Sequence, residues 1–169
     1  MDGYEKFIEL CETFNLGKVL YSPKHGGYGY NFSLNDIITM KANNMIMDAN
    51  DGGLVLGPLH ANGGIQVLQM NEDGSFNHCT EMEGWEYITS SLITENEREE
   101  LLAINEIYKN YDKNLNTEFL IPASCKIIDV SHLSMPVLLI DDYGRVIINR
   151  LSTKEYINRI IEIDNKTAP

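Results

Sequence analysis

The sequence predicts an α+β protein: short antiparallel β-hairpins and a meander, an N-terminal helix, and two capped amphipathic helices at about 94–111 and 153–163. Three observations carry this expectation. Apolar residues recur at helical spacing, short β-type runs are separated by turn residues, and Ser/Thr-x-x-Glu boxes stand at the head of two periodic runs. The 169 residues fit one domain. The pattern also allows a subdivision into a helical and hairpin region at 1–50, a meander plus helix at 51–111, and a second hairpin plus helix at 117–165.

Tyr4, Phe7, Ile8, Cys11 and Phe14 share one helical face, and Asn15 with Gly17 end that helix. The Gly/Tyr-rich stretch that follows turns around Gly26-Gly27 and suggests a hairpin. Residues 34–47 are open between a short helix after Ser33, favoured for the first half, and a strand pair around Asn43-Asn44. From Leu54 to Thr89 the runs LVLG, IQVLQM, FNHCTEM and WEYIT read as strands, and Asp73-Gly74 is a hairpin signal because a tight turn there needs φ > 0. Thr94 to Glu97 is a capping box, with Leu101, Leu102, Ile104, Ile107, Tyr108 and Tyr111 as the apolar face behind it. KIIDV, VLLID and RVIIN are further strands, the last two joined as a hairpin through Asp142-Tyr143-Gly144. Ser152 to Glu155 repeats the capping chemistry and starts a final helix that buries Tyr156, Ile157, Ile160 and Ile161. Residues 84–105 and 144–164 echo each other as glycine, strand, Ser/Thr cap and helix, which implies two strand-to-helix units.

The formal charge of -12 and pI near 4.6 argue against a nucleic-acid partner, which needs clustered Lys and Arg, and against an anionic membrane surface. Eight glutamates against one arginine between Glu81 and Glu106 read mainly as a solvated face. Cys11, Cys79 and Cys125 form no CxxC pair and read as small buried hydrophobes in a reducing compartment. No apolar run approaches the length of a membrane span, and the first ten residues carry acidic groups where a signal peptide carries basic ones. The expectation is a protein made in the cytoplasm and not secreted through a signal peptide.

Chemistry has three candidate settings. His78-x-Thr80 and His132-x-Ser134 are two His-x-Ser/Thr tripeptides; on strands, alternation would present imidazole and hydroxyl on one face, as in the two-histidine phosphoesterases. His60 with Glu81 and Glu83 offers a His/carboxylate set for a metal-dependent hydrolase, although the spacing matches no closed ligand pattern. Cys79 could act with His60 or His132, but FNHCTEM has no helix N-terminus to lower a thiol pKa. GGYGY at 26–30 lacks the Lys-Ser/Thr of a phosphate loop. No catalytic set, metal or cofactor is favoured.

The stretch GPLHANGGI, followed by EMEGWEYI and a helix ending LLAIN, resembles a module of phage tail tape-measure and related virion proteins of Bacteroidetes phages. Its pattern is G-P-S-H-x-x-G-G-I, a short β stretch, E-x-E-G-G-E-x-x-I-N-K-R-S-T, and a helix ending L-x-x-I-N. Gly57, Pro58, His60, Gly63, Gly64 and Ile65 match the first part; Glu81, Glu83, Gly84 and Glu86 match the second, with Trp85 replacing the second glycine. Asn105 matches the helix end, and the missing N-K-R-S-T reappears as INRLST at 148–153. The match covers about 55–105 and 144–165. It implies a phage or prophage product and no established activity. The leading expectation is a virion or assembly-associated protein of the bacterial cytoplasm or the virion, acting through a protein partner or as a homo-oligomer without catalysis, its nine tyrosines and acidic surface suiting an interaction module; the alternative is one of the hydrolases above. Within the motif, His60 is expected to be held by Glu81, Glu83 or Glu86, with Gly63 and Gly64 letting the backbone approach closely.

Overall fold

The computed structural model describes residues 3–22, 27–74, 76–141 and 143–166, with the backbone alone at 3–5, 19–22, 27–30 and 77–79. In chain order the elements are α1 (Gly3–Thr13), β1 (Lys18–Ser22), β2 (Gly27–Phe32), α2 (Leu34–Ala42), β3 (Met47–Asp48), β4 (Gly53–Leu56), β5 (Ile65–Met70) and β6 (Phe76–Met82). There follow β7 (Tyr87–Ile88), α3 (Glu95–Ile107), β8 (Ile127–Asp129), β9 (Val137–Asp141), β10 (Ile147–Ile148) and α4 (Arg150–Lys166). This is an α+β fold, and the chain forms two compact units, each assembled from three separate segments. These segments cross the subdivisions at 50 and 111 that the sequence pattern allowed. Among the described residues no helix is long and apolar enough to cross a membrane.

The first unit comprises 1–48, 58–82 and 130–142 and carries a six-stranded sheet in the order β1-β2-β6-β5-β9-β3. β1, β2, β6 and β5 pair antiparallel, whereas β9 runs parallel to both β5 and β3. Residues 65–68 and 137–140 are buried at every position, the continuous apolar pattern of strands covered on both faces. Helices α1 and α2 supply Phe7, Cys11, Ile37 and Met40 to a core completed by Phe32, Leu68, Phe76 and Leu139. Both helices end in the same way. Asn15 and Asn44 adopt φ 55, and the next residue returns an N–H five positions back, Leu16 to Cys11 at 2.8 Å and Met45 to Met40 at 2.9 Å. Asn43-Asn44 is therefore a helix stop and not a strand turn. Phe14, expected on the buried face of α1, lies past the last helical residue and is exposed. The hairpin of β1 and β2 forms as expected, its turn lying outside the described residues.

The second unit comprises 49–57, 83–129 and 143–169 and carries a four-stranded sheet in the order β10-β7-β4-β8, with β4 and β8 parallel. Helices α3 and α4 pack on each other and bury Leu101, Ile104, Ile157, Ile160 and Ile161 with Leu54, Tyr87 and Ile148 of the sheet. The Thr94–Glu97 capping box is present in both directions. Four expectations are corrected here. The strands expected as one meander separate, β4 and β7 into this sheet and β5 and β6 into the other. VLLID and RVIIN form no hairpin, because β9 pairs with β5 and β3 while β10 pairs with β7. The last helix starts at Arg150 and not at Ser152: Asn149 Oδ1 accepts the Ser152 amide at 2.8 Å, and Ser152 and Thr153 are buried inside the first turn. That helix is interrupted at Tyr156 (φ -121, ψ 18), and α3 ends at Ile107 rather than at Tyr111.

The sequence echo has a structural counterpart within the second unit. β7 precedes α3, β10 precedes α4, and the two strands pair antiparallel. Asn149 donates its backbone N–H to Asn105 Oδ1 at 2.8 Å and its side-chain amide to the Asn105 carbonyl at 2.7 Å. Ser152 Oγ donates to the Ile104 carbonyl at 2.8 Å, so the start of α4 satisfies carbonyls near the end of α3.

Candidate functional site

The GPLHANGGI segment forms a short 3-10 turn at His60–Asn62 between β4 and β5. Gly63 (φ 107) and Gly64 (φ 67) close it, their N–H groups donating to the carbonyls of His60 and Leu59 at 3.1 and 3.0 Å. His60 Nδ1 lies 2.7 Å from Glu81 Oε1, and the other carboxylate oxygen accepts from Gln66 Nε2 at 3.1 Å. Glu81 and Gln66 are direct cross-strand partners on β6 and β5. The expected histidine–glutamate contact is therefore present, and Glu81 is the partner. A Cβ on Gly64 would fall 2.3 Å from Glu81 Oε1, so both a left-handed backbone and the absence of a side chain are required there. The pair is half-exposed, at 46% and 30% side-chain accessibility, so it orients the loop more than it stabilises the fold.

Glu83 and Glu86 belong to a different constellation. Glu83 is 3% exposed and accepts from Arg150 Nε, with Arg150 itself 2% exposed. The guanidinium also donates to Thr117 Oγ1 and, at 2.9 Å, to the Lys113 carbonyl. Tyr111 Oη donates to Glu83 Oε1 at 3.2 Å and its ring lies 5.3 Å from the guanidinium carbon. Burial pushes the Tyr111 hydroxyl above its ordinary pKa, which keeps it a donor. Glu86 Oε1 accepts the Glu83 amide at 2.8 Å. A Cβ on Gly84 would sit 2.2 Å from the Gly57 carbonyl oxygen. The two motif stretches thus meet twice, through His60 and Glu81 in the first unit and through Gly57 and Gly84 in the second.

A second buried carboxylate, Asp164, accepts from Tyr87 Oη and the Ser90 amide at 2.7 Å each and lies 2.9 Å from Lys126 Nζ. Burial, reinforced by Asp164, drives the Tyr87 hydroxyl well above its ordinary pKa. Neither this group nor the pairing of Arg150 with Thr117 is announced by the sequence, in which Tyr111 reads only as part of an apolar helix face. Their partners lie tens of residues away, and the one available signal was Arg150 within INRLST.

His60, Glu81 and Glu83 do not form a ligand set: among the described residues no group of three or more His, Cys, Asp or Glu could hold a metal ion. The two His-x-Ser/Thr tripeptides are not equivalent. His78 and Thr80 are on β6, but a register shift places them opposite successive residues of β5, Leu68 and Val67. Cys79 is the extra residue in this register. The His78 side chain lies outside the described residues. His132 and Ser134 are exposed in turns before β9, where strand alternation does not apply. Burial pushes the Cys11 thiol up to about 12 and raises that of Cys125, so neither is an activated nucleophile. The Cys79 side chain, like all of His25, lies outside the described residues.

Ser134 nevertheless borders the same cavity as the motif loop. It lines a cavity of about 340 Å³ in the first unit, together with Asn62, Gly63 and Gly64 of the turn and Lys6 of α1. Comparison of the chain with protein-family models, curated proteins and solved structures gave no match.

Proposed function

We propose that the chain is a phage- or prophage-encoded protein of the virion or its assembly, acting through contacts with a protein partner or with further copies of itself, without catalysis. The supporting observation is how the residues of the phage-like pattern are used. Gly84 permits a close backbone approach to Gly57, Gly64 accommodates Glu81, and Trp85 stands where the pattern has its second glycine. Trp85 adopts φ 69, in the left-handed region that favours glycine. Glu83 and Arg150, from the two matching stretches, are each other's buried partners. These residues build a scaffold rather than converge on a reacting atom. The acidic charge of -12 suits solubility and a basic partner surface.

The test is cross-linking of the tagged chain in cells during phage production, with mass spectrometry of the linked peptides and of purified particles. The expected result is a defined set of links to virion structural proteins or between copies of this chain. A chain that stays monomeric, makes no such links and is absent from particles and assembly intermediates overturns the proposal.

A further inference from the structure

The cavity beside the His60–Asn62 turn is a binding site, and we propose that it takes a carboxylate carried on a small apolar body. The inference goes beyond the protein-contact reading and does not depend on it. The cavity is small, about 340 Å³ against roughly 300–1,000 Å³ for ligand pockets in general. Its polar side chains come from four parts of the first unit: Lys6 of α1, Asn62 of the turn, Gln66 of β5, and Ser131 and Ser134 of the segment before β9. Leu133, Met135 and Pro136 supply an apolar wall.

Charge points to the ligand. The first unit contains four lysines and no arginine within a chain of net charge -12. Lys41 lies 3.8 Å from Asp48, whereas among the described residues no carboxylate pairs with Lys6. One ammonium in a lining of neutral hydroxyls and amides suits a single negative charge. A phosphate dianion is better met by an arginine fork, by free backbone N–H groups or by more than one cation. Those of Gly63 and Gly64 already donate to the His60 and Leu59 carbonyls. The apolar wall in turn requires an apolar body next to the charged head.

This assigns a role to the motif loop. Glu81, held by His60 and Gln66, sets the conformation of the Gly63-Gly64 rim, so His60 and Glu81 are positioning residues for the cavity. A free short-chain acid and the C-terminal residue of a peptide present the same chemistry, a carboxylate beside a branched apolar group.

The experiment is an amide-resolved NMR titration of the full chain with four probes. These are 3-methylbutanoate, the neutral 3-methylbutanamide, acetyl-alanyl-leucine with a free carboxylate, and the same dipeptide as its C-terminal amide. Saturable shifts are expected at 62–66 and 131–135 with the acids only, weakened about tenfold in Lys6→Gln and unchanged in Lys41→Gln. Tighter binding of the dipeptide acid identifies a peptide terminus as the source, and tighter binding of 3-methylbutanoate identifies a free acid. Lys6 is exposed, so Lys6→Gln should keep its native spectrum; Ser134→Ala, also exposed, serves as a second weakening variant. Absence of saturable shifts at these positions overturns the proposal. Equal binding of acids and amides, or undiminished binding in both variants, does the same.

Discussion

Replacing Glu83 by Gln removes the carboxylate charge from a guanidinium that is 2% exposed, while the donors to Thr117 and the Lys113 carbonyl stay in place. An uncompensated charge in such a site costs about 3–5 kcal/mol. Arg150→Met strips Glu83 of the same partner and leaves it only part of its network, including Tyr111 Oη at 3.2 Å, so a cost of similar size is expected. The double variant has neither charge and keeps most of the buried volume. It should be no less stable than the worse single, with a coupling of about 2 kcal/mol or more. At roughly 2–4 °C per kcal/mol for a chain of this length, each single variant should melt about 10 °C below the parent. Urea unfolding followed by the fluorescence of Trp85, the one tryptophan, gives the free energies; its ring packs edge-on against Phe119 at 5.2 Å in the same unit as the pair. Additive single costs, or a Glu83→Gln variant within about 1 kcal/mol of the parent, would refute the view that this pair is a mutually dependent buried clamp.

Four further substitutions have expected outcomes. Gly84→Ala should cost about 1–3 kcal/mol or more in chemical unfolding, because its Cβ meets the Gly57 carbonyl at 2.2 Å. Gly74→Ala, with open space but φ +85, should cost only about 1–2 kcal/mol. Thr94→Ala should lower stability by about 1 kcal/mol through loss of the cap. The Thr94 hydrogen bonds hold the Glu97 carboxyl below its ordinary value of 4.5, so part of the parent's stability is present above that pH and lost as pH falls; this acid dependence should shrink in the variant. In the alkaline range the sign reverses. Burial raises the Cys11 thiol from 9.0 to about 12, so its stabilising contribution is full below pH 9 and lost as pH rises towards 12. Urea midpoints should fall across that interval, and Cys11→Ala should flatten the fall.

The features legible in the sequence are those whose chemistry closes over a few residues. Thr94 and Glu97 satisfy each other's backbone three positions apart, and Asp73-Gly74 brings β5 and β6 into register. With that register set, Glu81 comes opposite Gln66 and within reach of His60, which is why a histidine–glutamate contact could be expected from composition and spacing. Tertiary structure decided everything that depended on a distant partner. VLLID and RVIIN look like a hairpin locally, yet β9 gains a parallel neighbour on each side and β10 pairs with β7. Ser152 looks like a helix cap, but its hydroxyl reaches the Ile104 carbonyl and Asn149 does the capping. Glu83 and Arg150, 67 positions apart, look like ordinary surface charges until both are buried together. The physical reason is common to the strand pairing, the Ser152 hydroxyl and the buried pair, each of which answers to a distant segment, whereas the Asn149 cap is local. A cap or tight turn is chosen by hydrogen bonds within its own segment, whereas strand pairing and buried charge are chosen by which other segment removes them from water.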